Sequence, residues 1–247
     1  MKRIVIVGAT SAMARHCARL WVEAAAADVT LIGRDVASLE GIAADLRVRS
    51  PASKVTVARA GFLTAAEVDE AVKMAVAPCA ADIVLIAHGS LPVQRDCEAS
   101  LAACEDALLV NGLSPVLFAE AFAGHMIRAG HGTLVLLGSV AGDRGRKSNY
   151  VYGSAKGLLA RYAQGLQHRF HGTRVRVVLV KPGPTDTPMT AHLKSQGASL
   201  ASVEDVARQI VKAVEKGSRV AYVPAKWQLI MLVIRHLPHF VFGRLNI

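Results

Sequence analysis

In the segment SVAGDRGRKSNYVYGSAK a serine, Ser139, is followed by a tyrosine, Tyr152, and four residues later by a lysine, Lys156. On a helix, positions i and i+4 share one face, so Lys156 would carry its ammonium to the Tyr152 phenol. A free phenol titrates near about 10, and a neighbouring positive charge stabilises the phenolate. The pair therefore predicts a tyrosine able to give or take a proton. Ser139 follows the apolar run Thr133 to Leu137, at the carboxyl end of an expected strand, where open α/β sheets bind ligands. Its hydroxyl could hold a substrate oxygen. By itself a Tyr-x-x-x-Lys pair is weak evidence, because on most helices it is a half-buried aromatic beside a solvated lysine; the serine, the spacing and the nucleotide loop strengthen it. Tyr150 has no lysine four residues on and is read as a packing or contact residue.

Those three residues need a scaffold, and the chain supplies alternating apolar runs and helical segments. Expected strands are 4–7, 29–32, 54–58, 82–87, 133–137, 175–180 and 219–224. Helices are expected from the first glycine turn to about Ala27, over 36–48 and 65–77, from about Glu98 to Ala129, and over 150–169 and 203–215. Pro115 is expected to kink or divide the fourth of these. Ser202 with Asp205 three residues on predicts a helix start. The strands are apolar throughout, not alternating, which calls for a parallel sheet covered on both sides.

With 247 residues and 52% hydrophobic content, one large core is possible. Cys17, Cys79, Cys97 and Cys104 form no C-x-x-C pair and no metal-like spacing with histidine, so buried reduced thiols and no metal are expected. The opening MKRIVIVGATSAMA imitates a secretory signal, but its apolar part is short and also makes a strand entering a nucleotide turn. A cytoplasmic protein is expected. The net charge of +10 is spread along the chain with few aromatics interleaved, which argues against a nucleic-acid surface.

Gly8 to Ala14 stands where a dinucleotide fold turns tightly from its first strand into its first helix, with the helix N-terminus facing a pyrophosphate. Gly8, Thr10, Ser11, Ala12 and Met13 are the cofactor-binding candidates there. Ala12 and Ala14 occupy positions where glycine is usual, which weakens the motif. Arg34 follows the second strand; an arginine at that point can pair with a 2′-phosphate, so NADP(H) is preferred and NAD(H) remains possible. Asp35 beside it obscures that choice.

Together the glycine loop, Asn111 in VNG, Ser139, Tyr152-x-x-x-Lys156 and Pro182-Gly183 resemble the short-chain dehydrogenase/reductase family over nearly the whole chain. The resemblance implies an α/β, single-domain Rossmann-type doubly wound parallel sheet with helices on both faces. It implies hydride transfer between a nicotinamide and a carbonyl or alcohol carbon. Tyr152 would be the general acid, Lys156 would lower its pKa and hold the nicotinamide ribose, Ser139 would hold the substrate oxygen, and Asn111 would keep a water in a proton relay. Pro182, Gly183 and Thr185 would line the nicotinamide side. Ala87-His88-Gly89 replaces the usual N-A-G, and the acid usual after the third strand is replaced near Gly61. His88 is read as structural in preference to a proton carrier.

Within the family, the first-loop G-A-T-S, the basic segment before Tyr152, MTAHLK and the tail VPAKWQLIMLVIRHLPHFVFGRLNI are similar to the reductase component of the decaprenylphosphoryl-ribose epimerase system. That implies a lipid-linked 2-keto-pentose substrate and a flavin-dependent oxidase partner. Arg144, Arg146 and Lys147 could then meet the lipid phosphate, or be a solvated basic loop. Residues 1–224 are expected to form the reductase domain and 225–247 an apolar, basic tail helix of the same domain. LIMLVI at 229–234 is too short to span a bilayer. With Trp227, Phe240, Phe242, Lys226, Arg235 and Arg244 it suits either the inner membrane face or packing in a homo-oligomer. A reductase of soluble ketones, sugars or acyl thioesters is the alternative, as is a nucleotide-binding regulatory or peripheral membrane protein on the same fold.

Overall fold

The computed structural model of the chain describes residues 1–191, 195 and 197–245. Its sheet contains β1 (Lys2–Val7), β2 (Ala27–Gly33), β3 (Lys54–Arg59), β4 (Ile83–Ile86), β5 (Gly132–Leu137), β6 (Val175–Pro182) and β7 (Val220–Val223). All pairings are parallel, in the order β3-β2-β1-β4-β5-β6-β7. The chain winds outward from β1 to β3, crosses back, and winds the other way from β4. Neighbouring connections therefore diverge above the carboxyl ends of β1 and β4, opening a crevice there.

The apolar strands are explained by two covered faces. On one, α1 (Ala12–Ala24), α2 (Val36–Arg49) and α8 (Val203–Lys216) bury Ile4, Ile6, Val29, Leu31, Val135 and Val178. On the other, α3 (Ala65–Val76), α6 (Ser114–Ala129) and α7 (Tyr150–Arg169) cover Val5, Val7, Val84, Ile86, Leu134 and Leu136. The start of α8 is as expected, with the Ser202 side chain accepting the Asp205 N–H.

Several expectations need correction. The first helix stops at Ala24, and Ala27 already belongs to β2, where it pairs with Lys2. The segment after β4 is not one helix. It is α4 (Gln94–Ala99), α5 (Leu101–Leu108), a π turn (Leu109–Leu113) and α6. Ser100 ends α4 and caps α5 by accepting the Ala103 N–H. Pro115 accounts for the π turn: it has no N–H to offer the Asn111 carbonyl, and its ring would collide with that carbonyl in a regular helix. The backbone widens by one residue, and Ser114 N bonds instead to Leu109 O. Cys79 is exposed, not buried, whereas Cys17 and Cys97 are buried as free thiols. The tail forms α9 (Lys226–His236), three residues earlier than the apolar run begins, and then α10 (His239–Phe242).

Candidate active site

Ser139 leaves β5 and begins a single 3-10 turn, Val140–Asp143, with its Oγ accepting the Ala141 N–H at 3.1 Å. That turn is pressed against the first two turns of α7. A side chain at Gly142 would meet the Lys156 carbonyl carbon at 2.7 Å, and one at Gly153 would meet Ala141 O at 2.9 Å. Close backbone approach sets Ser139 beside the partly exposed Tyr152, one helical turn from Lys156. Lys156 is 4% exposed; its Nζ donates to Leu137 O at 3.0 Å and lies 5.8 Å from the Tyr152 ring centroid.

The electrostatics differ from the expected lowering of the phenol. Burial raises the Tyr152 pKa above its ordinary value, and the hydrogen bond with Ser139 pulls the other way. Lys156 is itself desolvated, which pushes its pKa down to about 8. In the free protein the pair therefore has an elevated phenol and a readily neutralised amine.

Asn111 lies in the π turn and is fully buried. Its Oδ1 accepts the Ser90 N–H at 2.9 Å, and its Nδ2 donates to Ala107 O at 3.0 Å and to Ser90 Oγ at 3.2 Å. A Cβ on Gly89 would be 2.8 Å from Asn111 Oδ1 and 3.6 Å from Lys156 Nζ, so both face the space that Gly89 leaves free.

At the other side of the crevice, Gly8 has φ +76°, and a Cβ there would meet His88 N at 2.6 Å. Only glycine combines that backbone with that contact. Among the described residues no non-glycine has positive φ, so Ala12 and Ala14 carry no strain in α1. The Ser11 side chain makes no cap hydrogen bond and the first turn of α1 holds no acid, leaving its positive end open beside Thr10, Ser11, Ala12 and Met13. Asp35 caps α2 through the Ser38 N–H, which removes it as a competitor of Arg34.

Ala87, His88 and Gly89 follow β4 at the crevice. His88 Nε2 is 2.9 Å from Ser114 Oγ, and its ring packs edge-on against Phe62 and Phe118. Burial, then the Lys156 and Arg34 cations, push its pKa down to about 3, so it is a neutral structural imidazole at working pH. Beyond β6, Gly183 N bonds to Val223 O at 2.9 Å and the buried Thr185 donates to Gly183 O at 2.9 Å. Trp227 of the tail lies against Gly183: a Cβ there would fall 1.9 Å from its Nε1.

The basic loop has partners other than those expected. Arg144 Nη1 donates to Ile234 O and, at 2.8 Å, to Leu237 O, while its guanidinium stacks 3.8 Å from the Phe242 ring centroid. Arg146 Nη2 is 3.5 Å from Met231 Sδ. Both arginines hold the tail and are half-buried, and of the three phosphate candidates only Lys147 is exposed. Asp143, in the same loop, pairs with Lys181 and accepts the Tyr222 hydroxyl at 2.7 Å. His192 to Lys194 of MTAHLK, with Asn246 and Ile247 of the tail, lie outside the described residues.

The sequence profile of the short chain dehydrogenase family matches residues 2–198. The chain belongs to that family. An uncharacterized oxidoreductase of Mycobacterium tuberculosis is 35% identical over 161 residues, which are 65% of this chain and 64% of that protein. Another, of Streptomyces coelicolor, is 40% identical over 116 residues, 47% of this chain and 45% of its own length. The chain thus aligns with less than two thirds of each of these relatives. Among solved structures, a short-chain dehydrogenase from Sphingobium yanoikuyae in complex with NADPH superposes with a TM-score of 0.83 at 20% identity, covering 97% of both chains. At that identity the likeness establishes the fold.

The family implies a nicotinamide dinucleotide, and the residues present fit one. The α1 N-terminus is uncapped by side chains, Gly8 admits a close-lying backbone, and His88 Nδ1 is a buried polar atom without a partner at the crevice.

Proposed function

We propose that this protein is an NADP(H)-dependent reductase of a carbonyl group. The observation that carries the reading is the convergence of Ser139, Tyr152 and Lys156 at the carboxyl end of β5, across the crevice from the Gly8 turn, with Asn111 buried behind them. When bound, the dinucleotide supplies the hydride. Tyr152 gives its hydroxyl proton to the substrate oxygen as negative charge develops there, and Ser139 Oγ donates a second hydrogen bond to the same oxygen. The raised pKa of Tyr152 keeps the phenol protonated before transfer, the state a reductase needs. Lys156 and Asn111 face the gap above Gly89, where a bridging water can return a proton to Tyr152. Arg34 supports NADP(H) over NAD(H) by offering a guanidinium to a 2′-phosphate.

For the substrate we propose a polyprenyl-phosphate 2-keto-pentose, formed by a flavin-dependent oxidase and reduced at the cytoplasmic membrane face. What supports it is the tail beside the site: Leu229, Leu232, Val233 and Phe240 are all exposed, and the chain has no acidic residue after Glu215. Arg144 and Arg146 are engaged by that tail, so the phosphate contact falls to Lys147. NADPH oxidation is measured with membranes carrying the keto-sugar and with soluble ketones, using wild type and Tyr152→Phe. The variant should lose about 100-fold or more in kcat and keep its NADPH affinity. An active Tyr152→Phe protein refutes the mechanism. Turnover of soluble ketones alone refutes the lipid-linked substrate and leaves the reductase standing.

A further inference from the structure

Between the carboxyl ends of β2 and β3 and the start of α3 lies a cleft of about 460 Å³, lined by Arg34, Arg59, Gly61, Glu67 and Glu70 among others. Two of its features are unusual. Gly33 and Arg59 are register partners, so Arg59 and Arg34, the residue after Gly33, stand at neighbouring strand ends, and both line the cleft. Among the described residues neither guanidinium has a hydrogen-bond or ion-pair partner. Elsewhere the arginines of this region are paired, as Arg19 and Arg49 are with Asp45. Two adjacent unpaired cations repel each other, and a doubly charged anion between them would relieve that.

The second feature is Glu67. Its Oε2 accepts the Leu63 and Thr64 N–H groups at 3.1 and 3.0 Å, fixing the carboxylate as part of the α3 cap. Its Oε1 makes no such bond and lies over Gly61, 2.2 Å from where a Cβ on that residue would be. The absent side chain at 61 thus makes room for a carboxylate delivered from the helix. One wall of the cleft offers cations and the other an oriented anionic acceptor.

We propose that Arg59 joins Arg34 in binding the 2′-phosphate of adenosine, and that Glu67 Oε1 accepts a hydrogen bond from the adenine amino group. This rests on the reading of the crevice as a dinucleotide site. A 2′-phosphoadenosine presents an anion and an amine donor at opposite ends, the pattern the walls complement. Arg59 is then a cofactor-discriminating residue, and Glu67 combines helix capping with base recognition.

Dissociation constants measured by calorimetry for NADPH, NADH, adenosine 2′,5′-bisphosphate and nicotinamide hypoxanthine dinucleotide phosphate test it without turnover. Arg59→Ala should weaken NADPH and the bisphosphate by about tenfold or more and leave NADH within about twofold. Glu67→Gln keeps the cap oxygen, but its amide can turn to donate to the hypoxanthine carbonyl. The wild type should prefer adenine to hypoxanthine, and the variant should narrow or reverse that preference. Unchanged NADPH binding in Arg59→Ala, equal losses for NADPH and NADH, or an unaltered base preference in Glu67→Gln would each overturn the corresponding assignment. A wild type that binds none of these ligands would overturn the cofactor reading itself, and this inference with it.

Discussion

Lys156→Met should make the cofactor-free protein more stable while abolishing turnover. The Lys156 ammonium is 4% exposed and its pKa falls from 10.5 to about 8, with desolvation as the cause. At about 1.4 kcal/mol per tenfold change in ionisation, that difference corresponds to a penalty of roughly 3 kcal/mol for burying the charge. The hydrogen bond to Leu137 O recovers part of it, so a gain of about 1–3 kcal/mol is expected from a methionine of similar shape. The sign with pH follows from proton counts. Below about 8 both folded and unfolded chains hold the proton, and the penalty is present in full. Between about 8 and 10.5 the unfolded chain holds more protons than the folded one, so this site's contribution becomes more favourable to folding as pH rises. Urea unfolding of both proteins at pH 7 and pH 10 reads this directly. The variant's advantage should be greatest at pH 7 and shrink toward pH 10, with m unchanged. A variant less stable at pH 7, or an advantage independent of pH, refutes the reasoning.

Asn111→Leu should destabilise the protein by about 1–3 kcal/mol, because the Ser90 N–H and Ala107 carbonyl lose their partner in a fully buried site; urea midpoints measure it. Gly183→Ala should displace the Trp227 indole, seen as red-shifted tryptophan emission, and the double variant Gly183→Ala/Trp227→Ala should recover the stability lost by the single one. Arg144→Ala should release the tail, so that trypsin cuts at Lys226 and Arg235 at least several-fold faster than in wild type, while the rest of the chain resists.

The doubly wound sheet was legible because its signals are local: each strand is a short apolar run, and each is buried on both faces. Ser139, Tyr152 and Lys156 were legible through their spacing. Boundaries were less so. An alanine run from Ala24 to Ala27 carries no mark of where helix gives way to strand, and the pairing of Ala27 with Lys2 decides it. The environment of the site was not legible. The Tyr152 pKa depends on how deeply α7 is buried, which residue spacing does not encode. Arg144 finds its carbonyl partners 90 and 93 positions away, so a cationic loop looked free to meet phosphate. Arg59 was missed because it reads as the last residue of a strand; the available signal was a second basic residue, after Arg34, at a strand's carboxyl end. Glu67 was missed because its capping box already accounts for it, and only the emptiness at Gly61 shows that one oxygen has another direction to face.

The widened turn at Leu109–Leu113 also bears on how the gene can vary. The turn holds one residue more than a regular helical turn, with Ser114 N–H reaching back five residues to Leu109 O. Inserting or deleting a residue in the regular first turn of α6 would rotate the helix beyond it by about 100° and swing Phe118, Phe122 and Met126 off the sheet they cover. Removing the extra residue of the widened turn would leave those three facing the sheet and would instead cost Asn111 its hydrogen bonds with Ser90 and Ala107. The length of the widened turn is therefore constrained by the site it holds, and the length of the helix after it by the core.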